Sequence, residues 1–210
     1  MIAVIDFGMG NIHSCLKAVS LYTDNFFLTN KPADLDKATG VVLPGDGAFE
    51  KAMTNLGELG FIPALKDFVS SGKPLFGICI GFQILYEDSE ESTIKGKLVP
   101  GFGFIKGHIK KFSGKKYKVP HMGWNRLIFN NGKEKKLLKD VENGSYMYFI
   151  HSFRPVNAEE GSVVAKCCYY DEKFPAVVEK ENIFGAQFHP EKSDKAGLRI
   201  LKNFISMANA

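Results

Sequence analysis

Residues 77–81 read Gly77-Ile78-Cys79-Ile80-Gly81, a cysteine with a glycine two positions away on either side. An apolar run precedes it and a helical pattern follows. This is the outline of a nucleophile elbow, a strand-to-helix turn in which the nucleophile takes a strained backbone and bulkier neighbours would collide. The N–H groups and dipole of a following helix stabilise a thiolate, and the Ile80 N–H would point at a developing oxyanion. A buried structural cysteine, with glycines that permit close strand–helix packing, fits the same pentapeptide. A reactive thiolate needs a base that can also protonate a leaving amine, near neutral pH most often histidine. Of His13, His108, His121, His151 and His189, only His189 directly follows an apolar strand-like run, and Glu191 stands two residues further on. At the carboxyl end of a strand His189 would share the sheet edge with Cys79, and Glu191 would orient its imidazole.

These residues need a sheet to hold them. The runs 1–6, 26–28, 41–43 and 74–78 are short and apolar, as buried parallel strands are. Between them Ile12, Cys15, Leu16 and Val19 recur at helical spacing, and Ile62, Leu65, Phe68 and Val69 mark a helix opened near Pro63 and closed by Gly72. Another helix is expected over 79–87. The βαβα alternation predicts a doubly wound, parallel first half. Beyond it, segments 102–112, 124–129, 146–153, 163–170, 176–179 and 183–188 alternate as antiparallel or mixed strands do. Ser193 reads as the N-cap of a last helix with Leu198, Leu201, Phe204 and Ile205 on one face. No repeat or flexible linker divides the chain, so the expectation is one α/β domain over residues 1–210 with an added β-rich region.

The chain has 210 residues, 45% apolar and 24% charged, which excludes disordered, collagen-like and low-complexity classes. Its net charge of +4 is too small to call for nucleic acid or an anionic membrane as partner. Lysines gather over 106–118 and at Lys133, Lys135, Lys136 and Lys139, a pattern that reads as solvated strand edges and turns. The most apolar stretch, 75–86, carries two glycines and Gln83 and falls short of the roughly 20 apolar residues of a membrane span. The opening residues read as a strand and not as a signal peptide. Cys15, Cys79, Cys167 and Cys168 lack Cys-x-x-Cys spacing, which points to a reducing cytoplasmic setting with no metal site. Gly8-x-Gly10 begins a dinucleotide fingerprint, but position 13 is His13, so that fingerprint is incomplete and no cofactor is expected.

Gly77-x-Cys79-x-Gly81 with Gln83, together with Gln187-Phe188-His189-Pro190-Glu191, resembles the class I, triad-type glutamine amidotransferases. Within that class, Asp6-Phe7-Gly8-Met9-Gly10-Asn11, Pro120-His121-Met122-Gly123-Trp124-Asn125 and His189-Pro190-Glu191-Lys192-Ser193 are similar to the glutaminase subunits of imidazole glycerol phosphate synthases. The resemblance implies that Cys79 attacks the side-chain amide of glutamine, that His189 protonates departing ammonia and then activates water, and that Glu191 holds His189. It assigns the oxyanion hole to Ile80 and to Gly45 and Asp46, and substrate contacts to Gly47, Gln83, His151, Ser152 and Phe153. It further implies a (β/α)8-barrel cyclase subunit as heterodimer partner, receiving ammonia for histidine biosynthesis. Met9, Asn11, Met122, Trp124 and Asn125 would lie at that interface, although Trp124, the only tryptophan, serves equally as a core residue.

Two departures stand out. Ile80 and Phe82 occupy places where the family more often has Leu and Met. Asp46 sits in a loop that is more usually Pro-Gly-Val-Gly; facing the oxyanion it would slow turnover, so it is expected to face solvent or to cap a helix beginning near Ala48. Two rival readings stay open at this point. One is a paralogous glutaminase feeding a cyclase-like protein that amidinates sugars; the other is a redox or structural α/β protein.

Overall fold

Apolar β-branched runs are stable as central parallel strands only where both faces are covered, and the computed structural model covers them. It describes residues 1–130, 132 and 134–209; Lys133 of the second lysine cluster lies outside the described residues. Strand β1 (Ile2–Ile5) leads to α1 (Ile12–Ser20), β2 (Phe26–Thr29), β3 (Gly40–Gly45), α2 (Phe49–Glu58), α3 (Phe61–Ser70), β4 (Leu75–Cys79) and the single turn α4 (Ile80–Gln83). Alternate residues of β1 serve opposite faces: Ile2 and Val4 pack with residues of α1, Ala3 and Ile5 with residues of α2 and α3. Asn11 caps α1 by accepting the Ser14 N–H at 3.2 Å.

The second half comprises β5 (Asp88–Ser89), β6 (Val99–Pro100), β7 (His108–Lys111), β8 (His121–Arg126), β9 (Ile128–Phe129), β10 (Tyr146–His151), β11 (Phe153–Val156), β12 (Val163–Tyr169), β13 (Glu172–Lys180), β14 (Ile183–Ala186) and α5 (Asp194–Ala208). The main sheet runs β2-β1-β3-β4-β14-β13-β12-β9, its first five strands parallel and the last three antiparallel. Helix α5 lays Ile200, Leu201, Phe204 and Ile205 on the α1 side of the sheet. Among the described residues two smaller sheets stand apart, the ribbon β8–β10 and the four strands β11-β7-β5-β6.

Several expected segments are corrected. The helix over 79–87 ends at Gln83, because the N–H groups of Leu85 and Tyr86 turn to carbonyls only three residues back, those of Phe82 and Gln83, and the Glu87 N–H goes to the Gly107 carbonyl at 3.2 Å. In segment 102–112 only β7 is strand; Gly103 and Gly107 take positive φ, and Phe102 stacks on Phe104 as the chain turns. Segment 124–129 divides at Leu127 and begins three residues earlier, at His121, while 146–153 divides at Ser152 into β10 and β11. Ser193 occupies the N-cap position of α5, yet its hydroxyl donates to the His189 carbonyl at 2.6 Å and accepts the Tyr148 N–H at 2.9 Å. That hydroxyl ties the start of α5 to β10.

Glu172 joins the two halves of the β-rich region. Its carboxylate accepts from the Ser113 N–H, the Tyr117 hydroxyl and the Arg154 guanidinium, holding the loop that places Phe112 against His151, ring centres 5.2 Å apart. Burial alone would raise the pKa of Glu172, but these hydrogen bonds outweigh it and hold it at about 2 against an ordinary 4.5. Stabilisation from the ionised form is therefore complete above about pH 4.5 and fades as the pH falls toward 2. Replacing Glu172 with Gln should cost on the order of 1–2 kcal/mol near pH 7, after allowing for solvent screening. Urea denaturation should show the gap from wild type shrinking between pH 4.5 and 2; a gap independent of pH would contradict it.

Candidate active site

Strands β3 and β4 pair in parallel to their last residues, which sets Gly45 beside Cys79. At Cys79 the backbone turns to φ 55°, ψ −104°, and α4 starts on the next residue. A Cβ on Gly81 would lie 1.8 Å from the Leu43 carbonyl oxygen, and one on Gly77 2.4 Å from the Gly81 carbonyl oxygen. Only glycine permits this approach of strand and helix, and the approach holds Cys79 in a conformation that costs on the order of 1–3 kcal/mol.

Strand β14 lies next to β4 and parallel to it, so the residues that follow it emerge at the same edge. His189 is fixed there by its N–H to the Tyr148 carbonyl at 3.0 Å. Its Nδ1 meets Glu191 Oε1 at 2.8 Å, with both side chains at most 5% exposed. Nε2 has no hydrogen-bond partner of ordinary geometry among the described residues, and the polar group interacting with the imidazole besides Glu191 is the Cys79 thiol. Burial opposes charging this imidazole. The opposing pull of Cys79 and of Glu191 is larger and raises His189 from 6.5 to about 10. Burial pushes the thiols of Cys15 and Cys167 up to about 12, leaving them neutral.

In front of Cys79 lies a cavity of about 220 Å³. Gly47, Ile80, Gln83, His151, Ser152 and Phe153, all singled out from the sequence, line it. Gln83 donates from Nε2 to the Phe153 carbonyl and to Gln187 Oε1, both at 2.9 Å, so its amide nitrogen is committed within the protein. Ile150 and Glu91 also line the cavity and were not singled out from the sequence; Pro120, quoted there only within a family motif, lines it too. Glu91 carries no local motif, because it enters from a polar loop 42 residues from its partner, accepting the Phe49 N–H at 2.8 Å. Burial raises the pKa of this carboxyl. Glu91 thereby does what was one expectation for Asp46: it, and not Asp46, satisfies the first N–H of α2, while Asp46 is exposed. Gly45 and Asp46 lie at the end of β3 beside the elbow and do not line the cavity; a Cβ on Gly45 would sit 2.3 Å from Ile80 Cγ2.

The residues expected at a partner surface divide. Met122 and Trp124 are 63% and 53% exposed on the outer face of β8, which removes the core alternative for Trp124. Met9 and its neighbour Gly10 lean on the 45–47 loop instead: a Cβ on Gly47 would meet Met9 Cε at 2.8 Å, and one on Gly10 would meet Gly45 Cα at 2.9 Å. Asn11 is spent as the α1 cap, and Asn125 donates inward to the Cys168 carbonyl at 2.8 Å. His121 and His151 face each other across β8 and β10, Nδ1 to Nε2 at 3.0 Å, and burial lowers them to about 4 and about 3. Both are neutral at pH 7. The site thus holds one charged imidazole and two neutral ones.

Among the described residues no group of three or more His, Cys, Asp or Glu could hold a metal ion, and no helix is long and apolar enough to cross a membrane. The family model described as glutamine amidotransferase class-I matches residues 3–208. The chain belongs to this family. It is similar to imidazole glycerol phosphate synthase subunit HisH of Bacillus subtilis (strain 168), 45% identical over 213 residues covering 99% of this chain and 97% of that one. The subunit of the same name from Halalkalibacterium halodurans is 43% identical over 212 residues, 99% of this chain and 96% of that one. Among solved structures, one described as a glutamine amidotransferase superposes with a TM-score of 0.75 at 17% identity, covering 100% of this chain and 99% of that one. PurLQS from Thermotoga maritima gives 0.73 at 21%, covering 98% and 97%. These two show a shared fold. Membership of the class-I glutamine amidotransferases sets aside the redox or structural reading.

Within this class-I amidotransferase, Glu191→Gln should lower the rate of glutamate release by on the order of 100-fold or more, since an orienting carboxylate is lost while the packing is kept. His189 should then titrate below its raised value near 10. In wild type, the stability drawn from the charged imidazole is complete below about pH 6.5 and fades as the pH rises through about 10. Nitrogen NMR of His189 in both proteins reads this directly, and an unchanged titration in the variant would contradict the role given to Glu191.

Proposed function

We infer that the chain is the glutamine-hydrolysing subunit of imidazole glycerol phosphate synthase. The observation that carries this reading is the likeness, over 99% of the chain and at 43–45% identity, to subunits so named. In this reading the Cys79 thiolate attacks the side-chain amide carbon of glutamine bound in the cavity. The tetrahedral oxyanion is received by the Ile80 N–H and by an N–H of the Gly45–Asp46 peptide, donors each worth on the order of 100- to 1000-fold in rate. His189, charged and held by Glu191, gives its proton to the departing nitrogen, so ammonia leaves and a γ-glutamyl thioester remains on Cys79. Water then enters, His189 takes its proton, and glutamate is released. Gln83, His151, Ser152, Phe153 and Gly47 shape the substrate's place.

Ammonia released into water becomes protonated and loses its nucleophilicity, so its acceptor has to sit against this subunit. We assign that place to a cyclase subunit with a (β/α)8-barrel, in a heterodimer. The exposed Met122 and Trp124 give it an apolar anchor, and Met9 and Gly10, pressed on the 45–47 loop, give docking a way to orient the oxyanion donors.

Glutamate release should be slow in the isolated chain and rise on the order of 100-fold or more with the cyclase subunit and its nucleotide ligand, as a gained oxyanion donor requires. Cys79→Ala should abolish both rates. Release that survives Cys79→Ala would refute the mechanism; release that ignores the cyclase would refute the assigned partnership.

A further inference from the structure

The β8–β10 ribbon pairs with neither of the other two sheets, and two strands alone are marginal in water. What covers its faces therefore sets its position. Side chains alternate strictly along it. Met122, Trp124, Tyr146 and Ile150 are exposed on the outer face, while His121, Met147, Phe149 and His151 are buried on the inner one. The same ribbon is a wall of the site: the Ile150 carbonyl lies 3.9 Å from Cys79 Sγ, and the Tyr148 carbonyl holds the His189 N–H.

Through the inner face runs a hydrogen-bonded chain whose polarity is fixed by its ends. The Phe153 carbonyl can only accept, so His151 Nδ1, 2.8 Å away, carries a proton. His151 Nε2 is then an acceptor in the neutral ring, and His121 Nδ1 donates to it at 3.0 Å. His121 Nε2 in turn accepts from Asn125 Nδ2 at 3.3 Å, and that amide also donates to the Cys168 carbonyl. At its far end the Phe153 carbonyl also receives Gln83 from behind the elbow. Protonation of either imidazole would turn an acceptor into a donor and break a link; burial keeps both neutral.

We propose that His121, which does not line the cavity, is a positioning residue: through His151 it forms a one-directional relay from Asn125 on β8 to the Phe153 carbonyl, and so sets the cavity wall according to what is docked on the ribbon's outer face. The inference rests on the glutaminase reading and adds to it the route by which the docked subunit acts on this wall. His121 is held between the rings of Phe149 and Tyr169, centres 4.8 and 4.1 Å away. His121→Phe therefore keeps the stack and removes the relay, whereas His121→Asn keeps an amide donor near the Nδ1 position.

The test measures glutamate release by the chain alone and by its complex with the cyclase subunit and nucleotide ligand. In His121→Phe the stimulation by the partner should fall on the order of 10-fold, a typical size for coupling between sites, with unstimulated release changed far less and partner affinity retained. His121→Asn should recover part of the stimulation. Equal stimulation in wild type and His121→Phe would overturn the proposal, as would a loss that His121→Asn leaves unrepaired. Nitrogen NMR of wild type is the second reading and serves where the Phe variant does not fold: protonation at Nδ1 of both His121 and His151 supports the relay, and a proton on His121 Nε2 overturns it. Failure of the glutaminase reading is distinct, since wild type would then release no glutamate, or Cys79→Ala would release as much.

Discussion

Where β4 becomes α4, the chain passes so close to β3 at Gly81, and α4 folds back so close to β4 at Gly77, that no atom beyond hydrogen fits at either position. This approach holds Cys79 at φ 55° against its own preference. It also sets Gly45 beside Cys79 and leaves the Ile80 N–H on the first residue of the helix. Parallel pairing of β14 with β4 then brings His189 to the same edge. The strain at one residue is sustained by buried strands on both sides, so the fold's apolar core and its reactive centre are parts of one arrangement.

The electrostatics follow from burial combined with partners. His189 and His151 are both buried, yet the first is raised and the second lowered. The difference lies in what each ring meets: a carboxylate and a thiol for His189, a carbonyl and a second imidazole for His151. An imidazole between two groups that can be anionic is suited to moving a proton, whereas one in a chain of neutral dipoles is suited to holding a shape. Two types of work are assigned to one side-chain type within a single site.

Much of this was legible in the residues. The apolar runs of β1, β3 and β4 have the continuous character of strands buried on both faces, and the glycines around Cys79 announce a close approach. His189 and Glu191 are two residues apart and needed only a strand to aim them. Glu91 was hidden because its role comes from a contact across 42 residues, with no local pattern to mark it. The helix expected beyond Gln83 failed for a related reason: the Glu87 N–H that would close its last turn goes instead to the Gly107 carbonyl, a tertiary competition that periodicity does not register. Asp46 looked like a cap by its residue type, and the N–H it would have capped was already satisfied from elsewhere.

In the proposed mechanism the strained thiol at the sheet edge, and no other cysteine, carries the glutamyl group. Acid quenching during turnover, followed by peptide mass mapping, tests it directly. The expected result is a mass increase of one γ-glutamyl group on the peptide containing Cys79, with none on those containing Cys15, Cys167 or Cys168. Ammonia release with no adduct on Cys79, or with the adduct on another cysteine, would contradict it.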